Sequence, residues 1–440
     1  MLSPLQKRDL DVLWHPCSQM QDYEKFPPLE VVSASGPLIE LAGNRRLIDS
    51  TSSWWCKSFG HTHPTLMDAI QKQMQKFEHV ILANTTNEVI VELSEKLCQL
   101  SPNLNKVFYA GDGSTALEIA LKMSFHAQQR LGNSSKKLFV GLENGYHGET
   151  LLTLGISDLG IYKKPYDQLW SEAHYLEKLT YTSGKDDPHF KQCPNWPELE
   201  AQLLKKANQI SAIVVEPLIQ GAGGMLIYSA DLLQRLRNFC NEHQIHLIAD
   251  EVLTGFGRSG KMLACEWANI EPDFMCLSKG LTGGTLPMSA MLTKNSVYNL
   301  FYGDYQEQIA FMHSNTHCGN ALAAAAALGA FKIMEQENIL QKTNTLGEHM
   351  KQAFENISKK TKRLCNLRQL GGVVAADLIL EPDRSNQRIG YQIYREAVER
   401  GALLRPLGNT LYWLPPLNTP LNVIDQLESI TTDSIQAILN

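Results

Sequence analysis

The chain's 440 residues, 43% of them apolar and 20% charged, suit one large globular unit with a smaller one beside it and exclude fibrous and disordered classes. A formal net charge of −6, from 40 basic and 46 acidic residues, gives no electrostatic reason to expect nucleic acid or an anionic membrane as partner, so a small molecule is expected. The nine cysteines stand singly, without a C-x-x-C pair, which reads as reduced cytoplasmic usage and not as a disulfide frame or a metal site.

From the N-terminus, "MLSPLQKRDLDVLWHPCSQM" lacks the apolar core of a signal peptide, and no window holds the roughly 18 uninterrupted apolar residues of a membrane span. A soluble cytoplasmic enzyme is the expectation. The paired tryptophans of "DSTSSWWCKSFGH" (49–61) point to opposite faces if the segment is extended, one into a core and the other into a pocket. Short apolar runs follow: "KVFYA" (106–110), "KLFVGL" (137–142), "SAIVVEP" (211–217), "HLIADE" (246–251) and "DFMCLSK" (273–279). They alternate with helical patterns, which predicts an α/β protein with a mainly parallel sheet covered on both faces. Between the first two runs, "STALEIALKMSFHAQQRLG" predicts a helix with Ser114 as its N-cap and Gly132 as its stop. Residues 165–200 show little periodicity and several turn residues, so they are read as an excursion over the surface. A long alanine-rich helix is predicted over 321–340. The expected division is an N-terminal segment (1–64) joining a small α+β unit (330–440), beside a large unit (65–329).

In parallel sheets ligands gather at the C-terminal ends of the strands, and the chemistry-bearing residues fall there. After the first strand, Gly113 and Ser114 of "GDGST" open a helix whose free amides and dipole favour an anion such as phosphate. The motif is neither G-x-x-x-x-G-K-[ST] nor G-x-G-x-x-G, and taken alone it reads better as a plain glycine turn with a serine N-cap. After the second strand, Tyr146 sits with His147 in the glycine-flanked turn "ENGYHGET" (143–150), where a flat ring can stack on an aromatic ligand. Asp250 ends the fourth strand; a buried acid there needs a cationic or hydrogen-bonding partner, such as a protonated ring nitrogen. Lys279 ends the fifth, 29 positions beyond Asp250, about one strand–helix–strand crossover. A phosphate seat, a flat aromatic, a carboxylate and a strand-end lysine, in that order, match pyridoxal 5′-phosphate (PLP).

On "NGYHGET", "EPLIQGAGGM" (216–225), "IADEVLTGFGRSGK" (248–261) and "PDFMCLSKGLTGG" (272–284) the sequence resembles the class III (ω-amino) aminotransferases of PLP fold type I, over essentially the whole chain. "LWHPCSQM" (13–20), the paired tryptophans and "LLRPLGNTLYWLPP" (403–416) narrow the resemblance to a branch of biotin biosynthesis. That branch moves an amino group from S-adenosylmethionine to 8-amino-7-oxononanoate. The resemblance implies that Lys279 bonds covalently to PLP and shuttles the proton at the reacting carbon, and that Asp250 keeps the pyridine nitrogen protonated. Gly113 and Ser114 would bind the phosphate, and Tyr146 would stack on the ring and border the substrate. Trp54 would line the substrate channel and Arg405 pair with the acceptor's carboxylate. Tyr412 and Arg258 are further candidate contacts. It also implies a homodimer with a shared site: "HSNTH" (313–317) falls where the partner subunit reaches over, with Asn315 and Thr316 nearest the phosphate and Ser314 near substrate. Three substrate-facing positions depart from the pattern. Cys17 stands where a tyrosine that helps recognise the acceptor is common, Glu149 where aspartate is usual, and "HSNT" where glycine and proline commonly precede the threonine. Lysine as donor, another ω-aminotransferase (ornithine, 4-aminobutyrate or polyamine type), an isomerase on the same fold, and an inactive PLP-binding protein remain as alternatives.

Overall fold

The computed structural model describes residues 2–169, 174–384 and 386–439. At its centre is a seven-stranded sheet, in the order Lys106–Ala110, Ser289–Thr293, Phe274–Leu277, His246–Asp250, Ile210–Val215, Leu138–Leu142, His174–Leu176. Every neighbouring pair is parallel except the two made by Ser289–Thr293, which runs against both of its neighbours. All five predicted strands are present. Two more were not foreseen: "SAMLT" (289–293) follows the glycine loop after Lys279 without a helix between, and His174–Leu176 is three residues long. The latter lies inside the predicted excursion, of which residues 170–173 fall outside the described residues.

Central strands are apolar on both faces because helices cover both. On one, Leu117, Ala120 and Leu121 of the helix Gly113–Arg130 pack against Val214, Ile248 and Cys276. On the other, Ala323, Ala324 and Ala327 of the helix Ala321–Gln336 meet Met275, Leu277 and Ala290. Small side chains let this helix approach closely: at Gly329 an added Cβ would already stand 3.2 Å from Leu66 of the helix Pro64–Met74. The N-cap of Gly113–Arg130 is Asp112, not Ser114. Asp112 accepts the Thr115 amide at 2.9 Å, the bond that a carboxylate directly before the first turn is placed to make, and Ser114 is left inside that turn.

The two ends of the chain meet. Val31–Ser35, Leu38–Leu41 and Arg45–Asp49 form an antiparallel series that Ala402–Leu403 extends in parallel. A three-stranded antiparallel sheet, Leu364–Leu370, Val373–Leu378 and Thr410–Trp413, lies under the helices Ile339–Thr361, Ile389–Arg400 and Leu421–Leu439. Phe354 packs edge-on to Trp413 in that core, with ring centroids 4.7 Å apart. Among the described residues no helix is long and apolar enough to cross a membrane.

Candidate active site

Asp250 and Cys276 are paired on adjacent parallel strands, so both strands end at the same edge of the sheet. Lys279 follows at φ 41°, a left-handed conformation costly for a side chain with a Cβ. Its surroundings hold it there. The Ser278 hydroxyl donates to the Met288 carbonyl at 2.8 Å, and Gly284, at φ 67°, lies where a Cβ would stand 2.5 Å from the Cys56 carbonyl carbon. The lysine Nζ lies 4.9 Å from the centroid of the Trp55 ring and has no hydrogen-bond partner among the described residues. Burial pulls the amine below the usual lysine range, and the carboxyls of Asp250 and Glu216 pull it partly back.

Asp250 accepts from Nδ1 of His147 at 2.9 Å and from the Val252 amide at 3.1 Å. His147 is buried, and its Nε2 has no partner among the described residues. Glu216 follows the neighbouring strand and accepts the amides of Tyr146 and Gly221, each at 2.9 Å. Burial pushes its carboxyl up to about 7, with His147 opposing and Asp250 adding to the rise. The first amides of the helix Gly113–Arg130, those of Gly113 and Ser114, meet no acceptor among the described residues. The Ser114 hydroxyl instead accepts the amides of Glu149 and Thr150, at 3.2 and 3.1 Å, pinning the Tyr146 turn to the helix start. Gly148, at φ 120°, permits this approach, since a Cβ there would fall on the Ser114 hydroxyl.

Outside this group opens a cleft of about 1060 Å³, lined among others by Cys17, Trp54, Tyr162, Gly223 and Arg405. The Arg405 guanidinium stands 4.0 Å over the Trp54 ring. Trp54 and Trp55 do point apart, but not because the segment is extended. Ser52, Ser53, Trp54 and Trp55 all have φ between 45° and 71°, a left-handed turn that puts Trp54 in the cleft and Trp55 in the core. Asp49 holds that turn by accepting the amides of Thr51 and Ser53, at 3.2 and 3.0 Å, and by pairing with His61 at 2.9 Å. Tyr412 does not reach the cleft: it is buried, and its hydroxyl accepts Trp55 Nε1–H at 3.0 Å. Arg258 is likewise structural, donating to the carbonyls of Gly372 and Pro415.

Ser314 and Thr316 are exposed, and Asn315 is half-buried. Within one chain no described bond ties this stretch to Lys279, Asp250 or the Gly113 turn. Its Thr316 carbonyl accepts from His79, and the adjacent His313 meets Lys122 at 2.9 Å.

Residues 19–439 match the model of the aminotransferase class-III family. The chain belongs to the class-III aminotransferases. This class-III chain is 41% identical to the adenosylmethionine-8-amino-7-oxononanoate aminotransferase of Helicobacter pylori, over 93% of this chain and 92% of that one. The crystal structure of the like-named protein from Methanocaldococcus jannaschii superposes with a TM-score of 0.92 at 28% identity, covering 99% of both chains. A Pseudomonas amine transaminase in its PLP-bound form matches with a TM-score of 0.87, also at 28% identity, over 97% of this chain and 99% of that one. The fold is therefore the type I fold of PLP-dependent transferases.

The class-III site has the parts PLP needs. Two free helix-start amides suit its phosphate, and Asp250, oriented by His147, suits a protonated ring nitrogen. At Gly113 a Cβ would stand 2.8 Å from the Val252 side chain, so glycine lets this helix start close against the turn that follows Asp250. His147, Glu216, Trp55 and Tyr162 were not assigned from sequence. The strand-end rule applied to "SAIVVEP" points at Glu216, and His147 adjoins Tyr146 in the same turn; nothing local marks Trp55 over Trp54, or Tyr162.

Proposed function

We propose that this chain is a PLP-dependent transaminase converting 8-amino-7-oxononanoate to 7,8-diaminononanoate, with S-adenosylmethionine as amino donor, in cytoplasmic biotin biosynthesis. The observation that carries the reading is that Asp250 and Lys279 come at the same end of two paired parallel strands, with Arg405 stacked on Trp54 in the neighbouring cleft. A reactive amine and a carboxylate-binding cation then serve the two ends of one long keto acid. The identity to the Helicobacter pylori protein supports the same substrate pair.

Bound PLP supplies an electron sink that makes the bond to hydrogen at the amine-bearing carbon labile. Lys279, whose amine burial shifts toward the uncharged form, would take that proton and return it one position away. Asp250 holds the ring-nitrogen proton, and His147, bonded to it at 2.9 Å, fixes the carboxylate's orientation. Gly113 and Ser114 offer amides to the phosphate, Tyr146 covers the ring, and Trp55 shields the lysine from water. Arg405 binds the acceptor's carboxylate in a fork of donors, with Trp54 behind it. Cys17 adds a small wall.

The exposure of Ser314 and Thr316 supports a homodimer in which Asn315 and Thr316 of one chain complete the other's phosphate site and Ser314 borders its substrate. The sheet joining residues 31–49 to 402–403 supports the division into 1–64, 65–329 and 330–440, the first joining the last. A half-reaction tests the assignment. S-adenosylmethionine alone should bleach the visible band of the PLP-loaded protein, and 8-amino-7-oxononanoate should then restore it. Bleaching by lysine and not by S-adenosylmethionine would overturn the donor, and no recovery with the keto acid would overturn the acceptor.

A further inference from the structure

Tyr162 has no role in the chemistry above, yet it lines the cleft. It lies in the short turn Gly160–Lys163, which the next residue ties down: Lys163 donates to the Gly155 carbonyl at 2.7 Å and to the Tyr175 phenol, itself bonded to the Ser157 carbonyl at 2.7 Å. On its inner side the Tyr162 ring lies 6.0 Å from that of Tyr146. Tyr162 lines the cleft together with Arg405 and Cys17, and burial, with Cys17 and Glu149 nearby, pushes the phenol up to about 12, so it stays a protonated donor at neutral pH.

Charge in the cleft is polarised. Glu149, bonded to the Tyr146 phenol at 2.9 Å, sets its carboxylate 4.0 Å from Cys17 Sγ of the cleft wall; Arg405 lines the same cleft as a cation with no carboxylate partner among the described residues, whereas Arg388 is paired there with Asp22. An incoming carboxylate is repelled from the first and drawn to the second. We propose that the Tyr162 phenol, which lines the same cleft as Arg405, is a second donor to the distal carboxylate of the keto-acid acceptor and makes the site selective for it. This rests on the transaminase reading. It also separates the two substrates by chemistry: the acceptor's carboxylate lies a chain of methylenes away from its ketone, whereas the donor's is attached to the reacting carbon and never reaches the distal seat.

The test is Tyr162→Phe, which removes one hydroxyl and keeps the ring. Steady-state kinetics should show KM for 8-amino-7-oxononanoate raised about tenfold, the size of one hydrogen bond to a charged group, with kcat and the KM for S-adenosylmethionine nearly unchanged. The methyl ester of the acceptor should lose the discrimination between wild type and variant. Calorimetric binding of nonanoate to PLP-loaded wild type and variant reads the seat without turnover, with a weakening of similar size expected. Equal nonanoate affinity in the two proteins, or KM values for both substrates rising together, overturns the assignment of Tyr162. Absence of diamine from wild type with nonanoate binding still weakened would instead overturn the reaction and leave the carboxylate seat standing.

Discussion

A buried acid with a raised pKa leaves a signature in stability, and Glu216 has one. Its carboxyl moves from 4.5 to about 7 on folding, chiefly through burial. Between those values the unfolded chain binds fewer protons at this site than the folded chain, so stability falls as pH rises through that window. Glu216→Gln should flatten the decline, read as melting temperature against pH from 4.5 to 7; an unchanged slope would place the effect elsewhere. The strand-end positions of Asp250, Lys279 and Tyr146 were legible one residue at a time because each closes or follows a recognisable strand. Tyr412 misled because "LYWLPP" has the same apolar look whether a ring faces the cleft or, as here, supports Trp55 from behind. The Ser114 cap failed for a local reason: Asp112, two residues earlier, is an equally good cap, and the sequence does not say which of the two the first turn adopts.

Among the elements, the left-handed turn Ser52–Trp55 stores the most strain. Each such non-glycine residue costs about 1–2 kcal/mol, so four in succession need compensation. Asp49 supplies it through the amides of Thr51 and Ser53 and through His61. Burial alone would raise this carboxyl, but the bonds from His61 and Ser53 outweigh it and its pKa is lowered. Its stabilising contribution is therefore full above the unfolded value of 3.8 and lost as pH falls through the lower folded value. Asp49→Asn should cost about 3 kcal/mol, seen as a lower melting temperature, because it leaves His61 and two amides poorly matched. It should also raise KM for the keto acid, since Trp54 backs Arg405; a destabilised variant with wild-type KM would show that the turn does not position the cleft. Hydrophobic periodicity carries no trace of this turn. It depends on a side chain bonding to the backbone two and four residues on, which is why the segment reads as extended from sequence.

Taken whole, the molecule has a site built from the strand ends of one chain and a stretch, 313–317, that no bond among the described residues ties to it. The α/β layering was readable because five buried strands have no polar alternation. The antiparallel strand Ser289–Thr293 was not, since a short buried run gives its position but not its direction. A shared site predicts complementation between two inactive variants. Lys279→Ala disables a site from within, and Thr316→Asp sets a negative charge against the phosphate of the partner's site. Mixed after unfolding and refolding together, the two should recover about a quarter of wild-type activity, because half of the sites in each mixed dimer then carry neither change. No recovery would assign 313–317 to its own chain's site or to no site.

The central claim is that the amine of Lys279 drives amino transfer onto a keto acid anchored at Arg405. Its most direct measurement is the amount of 7,8-diaminononanoate formed by PLP-loaded protein from 8-amino-7-oxononanoate and S-adenosylmethionine, followed by mass spectrometry in wild type and Lys279→Ala. Product that accumulates with wild type and is abolished in the variant is the predicted result. No product from wild type, or undiminished product from Lys279→Ala, would contradict the account.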